Sequence, residues 1–357
     1  MDPTALRAEF PVLEQAVYLN AGTCGPLPAA AAAAARDVLA QACANGRSRA
    51  YFDALPDVRE RLRASYARLL GAAPDDVALT TCTSEGIVRV LAGLDLQPGD
   101  EVLTSDEEHP GLQGPLAAAR EHRGIAIRVV PFAQIADAIG PATKLVACSH
   151  VSWVNGRVVA DLAGADVPVL LDGAQGVGAV AFEAPALGCA FYAGSGQKWL
   201  CGPVGSGMLW VAPEWQDRLP AVGPTYDNLA DPSSGLAAVP HAGGARHDTS
   251  ALSLEILSAA LAALDVLERA GWPALHERAA TLAATLADEL AAGGREVAPR
   301  DRTTLVSWKD DDAPATRDRL ATAGVIIRDL PGRGLLRASV GAWNDTTDIA
   351  RLLCALP

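Results

Sequence analysis

The sequence predicts an α/β protein in which a mostly parallel sheet is covered by helices and followed by a smaller C-terminal α/β domain. Three observations predict it. Short β-rich runs alternate with helical stretches from about residue 76. Residues 215–248 then lose all periodicity and gather Gly, Pro, Asp and Ser. After them come two long Ala/Leu-rich patterns and a second, shorter alternation. With 357 residues, 50% of them hydrophobic, the chain has the material for a large core and about two domains, 1–250 and 251–357.

The elements follow in order. "DVALT", "EVLTS", "IAIRVVPF", "KLVACSH", "VPVLLD" and "CAFYAGS" read as strands, with "SEGIVRVLAGL" and "GLQGPLAAAREH" as helices between the first three. "GSGMLWV", after a Gly-Pro turn, reads as a further strand of antiparallel sense. The helical patterns at 250–269 and 273–293 are split by "AGWP", where Gly and Pro favour a break. The tail alternates "TTLVSWK", "TRDRLATAG", "VIIRDL", "GLLRASV" and "DTTDIARLLCAL". The unbroken alanine run 29–35 suits a helix.

Composition excludes several classes of function. A formal charge of −13 repels nucleic acid and anionic lipid. No apolar run reaches the roughly 18 residues of a membrane span, and "MDPTALRAEF" lacks the regions of a signal peptide, so the expected location is the cytoplasm. The seven cysteines form no CxxC pair and the six histidines show no ligand spacing against them, so neither a zinc site nor a disulfide framework is expected.

In open parallel sheets ligands sit beyond the carboxyl ends of the strands, which makes polar residues just after strand patterns the candidates. "TCTSEGI" offers Thr83 and Ser84 at a helix start, where hydroxyls and free amides suit a phosphate. "SDEEHPG" places His109 before a helix, "SHVSWVNG" gathers Ser149, His150, Ser152 and Asn155, and "LLDGAQGVGAV" ends a strand in Asp172 with Gln175 a turn on. The glycines of that last stretch run GxxGxG, a poor fit to a dinucleotide fingerprint. "SGQKWLCGP" brings Lys198 into an apolar neighbourhood. Each has a plainer reading alone: Ser84 and Glu85 as a helix cap, His109 as a surface residue, Asp172 as a turn former. Together they supply a lysine for an aldehyde, an acid for a pyridine nitrogen and hydroxyls for a phosphate, which are the needs of pyridoxal 5′-phosphate.

At these residues the chain resembles the class V family of fold type I pyridoxal phosphate enzymes, which includes cysteine desulfurases, C–S lyases and isopenicillin N epimerase-like proteins. The resemblance runs from "YLNAGTCGPLP" to "LLRASVGAWNDTTDI" through "TSEGI", "EEHPG", "HVSW", "DGAQGVG" and "SGQKW". It implies that Lys198 holds the cofactor aldehyde, Asp172 the pyridinium nitrogen and Gln175 the phenolic oxygen, with His109 stacked on the ring. It implies phosphate contacts from Thr83, Ser84, Ser195 and Gln197, and a substrate carboxylate gripped by Arg337, with Asn20 and Ala21 beside it. A homodimer is implied as well, Thr249 or Ser250 standing where relatives reach the partner's phosphate.

The chain departs from the family pattern at informative places. Gln197 stands where His is common, and its amide still donates to phosphate. Trp153 stands where desulfurases carry the Asn of "HVSN", leaving Ser152 or Asn155 for that contact. Desulfurases carry a sulfur-accepting Cys ahead of the carboxylate arginine, and "AGVIIRDLPGRGLL" has none. Cys201 and Cys354 read as packing residues. The resemblance therefore favours a C–S lyase that performs β-elimination on a cysteine-derived amino acid such as cystine, a cysteine conjugate or a cysteine S-oxide. Transamination and epimerisation are the alternatives, and persulfide chemistry on a cysteine is disfavoured.

Overall fold

In a computed structural model describing residues 2–357, the alternation from residue 77 onward forms one seven-stranded sheet. The chain enters through α1 (Pro3–Ala8), β1 (Val17–Tyr18), α2 (Ala29–Asn45) and α3 (Arg49–Leu70). It continues through β2 (Val77–Thr80), α4 (Thr83–Gly93), β3 (Glu101–Ser105), α5 (Pro110–Arg123), β4 (Ala126–Val130), β5 (Thr143–Ser149), β6 (Val169–Asp172), β7 (Phe191–Ser195) and β8 (Gly207–Val211). Beyond the excursion come α6 (Leu254–Ala270), α7 (Trp272–Ala292), β9 (Leu305–Lys309), α8 (Ala313–Thr322), β10 (Val325–Ile326), β11 (Arg328–Leu330), β12 (Leu335–Ser339) and α9 (Thr346–Ala355).

The strand order is β2-β8-β7-β6-β5-β3-β4, and β8 alone runs antiparallel to its neighbours, as the "GSGMLWV" pattern suggested. Alternate side chains serve opposite faces. Val77, Leu79, Val146 and Cys148 join α3 and α6 residues in one core, while Ala78, Leu145 and Ala147 join Ile87, Val90 and Leu112 of α4 and α5 in the other. Both faces are dry, which is why these strands are almost continuously apolar. Each buried Leu or Val contributes about 1.5–3 kcal/mol.

The smaller sheet, β11-β12-β9, is antiparallel and packs Val306, Trp308, Leu336 and Ala338 against Leu282, Leu286, Leu320 and Ile349 of the flanking helices. The opening segment reaches both halves of the chain: β1 pairs with β10 and Asn20 bridges to Ser339, while Gly25 N donates to Gln197 O at 2.8 Å beyond the end of β7. The break at "AGWP" is a single residue, Gly271 at φ 88°, after which Pro273 sits in the first turn of α7 where its missing N–H costs nothing. The excursion is not structureless: it makes short helical turns at Tyr226–Asn228, Pro232–Ala237, where Gly235 breaks the helix, and Gly244–His247. No helix of the described residues is long and apolar enough to cross a membrane.

Candidate active site

The carboxyl ends of β2, β3, β5, β6 and β7 share one edge of the large sheet, and nearly every residue singled out in the sequence lies along it. Lys198 arrives from β7 through a tight turn. Gly202 N donates to Gly196 O at 2.9 Å and Gly196 N to Ser206 O at 2.8 Å; a Cβ on Gly196 would lie 2.3 Å from Ser206 Oγ. Cys201 completes the turn at φ 54°, a left-handed conformation unusual outside glycine. Trp199, Leu200 and Cys201 are buried and hold the turn down. Burial pulls the Lys198 amine down to about 8 against the attraction of Asp172, and Arg337 adds to the lowering.

Asp172 ends β6, buried, with Oδ1 accepting from Ala174 N at 2.9 Å. Burial pushes its pKa up and Lys198 draws it back. Its register neighbour Ser149 donates through N and Oγ to Glu108, which Ser105 Oγ also reaches from the end of β3. Glu108 thus ties β3 to β5 where the sheet order changes direction, and burial pushes its carboxyl up to about 7.

At the start of α4, Thr83 Oγ1 lies 2.7 Å from Ser195 Oγ, and Thr83 N donates to that same oxygen at 3.2 Å. Cys82 caps the helix without a side-chain bond, so the first turn keeps amides for an anion. Ser84 Oγ faces Gly111 across the cleft, 2.6 Å from where a Cβ there would sit. Gln197 Oε1 is buried without a partner among the described residues. Thr249 Oγ1 is committed within its own chain, donating to Glu85 Oε1 at 2.5 Å, and Ser250 pairs with Thr225.

Opposite the lysine, Arg337 comes in on β12, wholly buried. Its Nη1 donates to Trp153 O at 2.7 Å, while Nε and Nη2 have no partner among the described residues. Burial, then Arg328, lowers its pKa, but a guanidinium starts so high that the charge persists at pH 7. A Cβ on Gly22 would lie 2.9 Å from Arg337 Nη2, 2.7 Å from Ser339 Oγ and 2.9 Å from Gln175 Oε1. The glycine therefore lets "NAGT" pass close to all three, with Ala21 buried and Asn20 accepting from Thr23 Oγ1. Gln175 donates to Gly22 O at 2.8 Å and accepts from Trp199 Nε1 at 3.0 Å, which fixes its amide and leaves one N–H.

His109 caps α5, its Nδ1 accepting from Gly111 N at 3.0 Å, so any ring proton is on Nε2. Burial, then Lys198, pushes it down to about 4, and the ring is neutral at pH 7. It stands edge-on to Trp153 at 5.0 Å. Ser152 and Asn155, expected to replace the desulfurase Asn, both donate to Glu107 instead.

Arg328 was not singled out in the sequence, although "IIRDLPGRGLLR" carries the signal. A hairpin turn at "PGRG" pairs β11 with β12 and sets Arg328 directly opposite Arg337. Glu107 and Asp248 were missed because their partners are distant in sequence, and Glu108 because its neighbour Ser105 gives no hint of Ser149, 41 residues on.

The donor set fits pyridoxal phosphate: a lysine of lowered pKa beside a buried carboxylate, hydroxyls at an open helix start, and orphaned buried donors on Arg337. The sequence model of the aminotransferase class-V family matches residues 17–352, so the chain belongs to that family. Among curated relatives, a probable cysteine desulfurase of Pseudomonas aeruginosa is 30% identical over 99% of this chain and 97% of its own length. An isopenicillin N epimerase of Streptomyces clavuligerus is 30% identical over 60% of the chain. A probable cysteine desulfurase of Methanothermobacter thermautotrophicus is 32% identical, and the match spans only 57% of that relative's length, as it does for the epimerase. A solved structure of a C-DES mutant with glycine covalently linked to its PLP cofactor superposes with TM-score 0.91 at 26% identity over 98% of both chains. The cystine C-S lyase C-DES with its reaction product cysteine persulfide superposes with TM-score 0.89 at 26% identity, over 97% of this chain and 98% of that one.

Proposed function

We propose that this class-V enzyme is a C–S lyase that performs β-elimination on a cysteine-derived amino acid, cystine above all. What carries the reading is a complete lysine–carboxylate site whose 323–336 segment offers no thiol to take up sulfur. Pyridoxal 5′-phosphate is the cofactor and, when bound, supplies the electron sink for the pair left at Cα. Thr83, Ser84, Ser195, Gln197 and the first-turn amides of α4 would hold its phosphate. Asp172 would hold the ring nitrogen, His109 would cover the ring and Gln175 would meet the phenolic oxygen.

Lys198 Nζ takes the Cα proton. With a pKa of about 8, a useful fraction of the amine is neutral at pH 7–8 and can accept it. Arg337 receives the α-carboxylate through its two unfilled nitrogens. Arg328, fixed opposite, suits a second anionic group, and the far half of cystine carries one. Expulsion of the Cβ sulfur followed by hydrolysis gives pyruvate, ammonia and a persulfide. The enzyme works as a cytoplasmic homodimer; exposed Tyr226, Leu236 and Val239 on the excursion offer apolar surface for the second copy. Epimerisation is the second reading, favoured by the isopenicillin N epimerase relatives.

The test is a product analysis with cystine, a cysteine conjugate and a cysteine S-oxide. Stoichiometric pyruvate supports elimination; amino exchange with a keto acid or loss of chirality without pyruvate replaces it.

A further inference from the structure

Arg337 is held by one bond. No carboxylate pairs with it among the described residues, so its direction depends on where the Trp153 carbonyl lies. That carbonyl belongs to the tight turn 152–156, closed by Gly156 N to Ser152 O at 3.0 Å and Ser152 N to Arg157 O at 2.8 Å. The turn is clamped from two sides. From the large sheet, the Glu107 carboxylate accepts from Ser152 Oγ and, with both oxygens, from Asn155 Nδ2 at 2.9 and 3.0 Å. From the small sheet, Ser307 Oγ donates to Val154 O at 2.6 Å and Thr303 Oγ1 to Gly156 O at 2.7 Å. Ser307 is itself the cross-strand partner of Arg337.

We propose that Glu107 is a positioning residue for substrate recognition: by fixing the 152–156 turn against the small sheet, it sets the Trp153 carbonyl that aims Arg337 at the substrate carboxylate. Glu107 touches neither the lysine site nor the guanidinium. Its removal strands two donors and frees the turn on one side, so the loss falls on carboxylate binding. The inference rests on Arg337 as the carboxylate grip, and is independent of whether the reaction is elimination.

The experiment titrates the visible absorption of the holoenzyme with L-alanine and with L-alaninamide, which lacks the carboxylate; neither has a leaving group on Cβ. Wild type binds L-alanine the more tightly. Glu107→Ala weakens L-alanine about tenfold, leaves the amide unchanged and keeps cofactor content, while its melting temperature falls by the cost of the two stranded donors. Glu107→Gln, which retains one acceptor, falls between, and Ser307→Ala shows the same selective loss from the opposite side. Equal weakening of both ligands, or unchanged L-alanine affinity, overturns the proposal. If Glu107→Ala does not fold, the same criterion applied to the other two variants decides. Failure of wild type itself to prefer L-alanine removes the carboxylate role of Arg337 and this inference with it.

Discussion

Arg63 and Arg337 are both buried, 4% and 0% exposed, and the molecule uses them in opposite ways. Arg63, on α3, meets Asp248 with two parallel bonds of 3.0 and 2.7 Å, reaches Val77 O at 2.5 Å and turns its Nε to Glu60. Arg59 and Leu79 N complete the shell of Asp248 at 2.8 Å each. Every charge there has its counterpart, and the cluster does one thing: it fixes residues 248–249 to the edge of the sheet beside α4. Among the described residues Arg337 has no counterion, a like charge opposite it on β11, and two donors without a hydrogen-bond partner. Two arginines paired across strands repel. A fold keeps such a pair where an anion from outside fills the gap, so the unsatisfied cluster marks a site and the satisfied one marks scaffold.

The largest effect that this contrast predicts is in the scaffold. Asp248→Asn replaces the carboxylate shared by two buried guanidiniums with a neutral amide, leaving Arg63 only the exposed Glu60 and Arg59 the more distant Asp227 as counterions, and should cost about 3–5 kcal/mol of unfolding free energy, measured by urea denaturation. Substrate affinity of the folded fraction should stay close to wild type. A loss below about 1 kcal/mol would mean that the cluster is as weak as a surface ion pair.

A smaller effect concerns pH. His109, His150, His247 and His276 are all pushed down to about 4, chiefly by burial. The unfolded chain therefore binds protons that the folded chain refuses, and stability present above about 6.5 is lost as pH falls toward 4. Glu108, raised to about 7, acts with the opposite sign: its contribution is full below about 4.5 and is lost as pH rises through 7. Glu108→Gln removes that opposition, so stability should fall more steeply between pH 7 and 5 than in wild type. Parallel curves would show that Glu108 does not change protonation on folding.

Much of this was legible because local pattern and chemistry coincide. The antiparallel sense of β8, the break at Gly271 and the strand-end positions of Ser84, Asp172 and Lys198 all follow from residues within a few positions of one another. Arg337 was found through its motif, but its partner Arg328 needed the hairpin register. Asp248 was invisible as a structural anchor because its arginines lie 185 and 189 residues away. Ser152 and Asn155 showed their chemistry but not their acceptor: nothing near them in sequence announces Glu107. Thr249 presented the same difficulty, since its hydroxyl goes to Glu85 across 164 residues. Residue type can be read along the chain, whereas the choice among several possible partners is made only by packing.

The most direct test of the contrast is one variant read two ways. Arg337→Met keeps the volume and apolar stem of the side chain but removes the unpaired charge. The account predicts an unfolding free energy within about 1 kcal/mol of wild type or above it, because only the bond to Trp153 O is lost. It predicts at the same time a fall of about 1.5–3 kcal/mol in transition-state stabilisation for L-cystine, roughly ten- to over a hundredfold in kcat/KM for pyruvate release. A variant that loses stability on the scale of Asp248→Asn, or that releases pyruvate from L-cystine as well as wild type, would contradict it and place Arg337 with the scaffold.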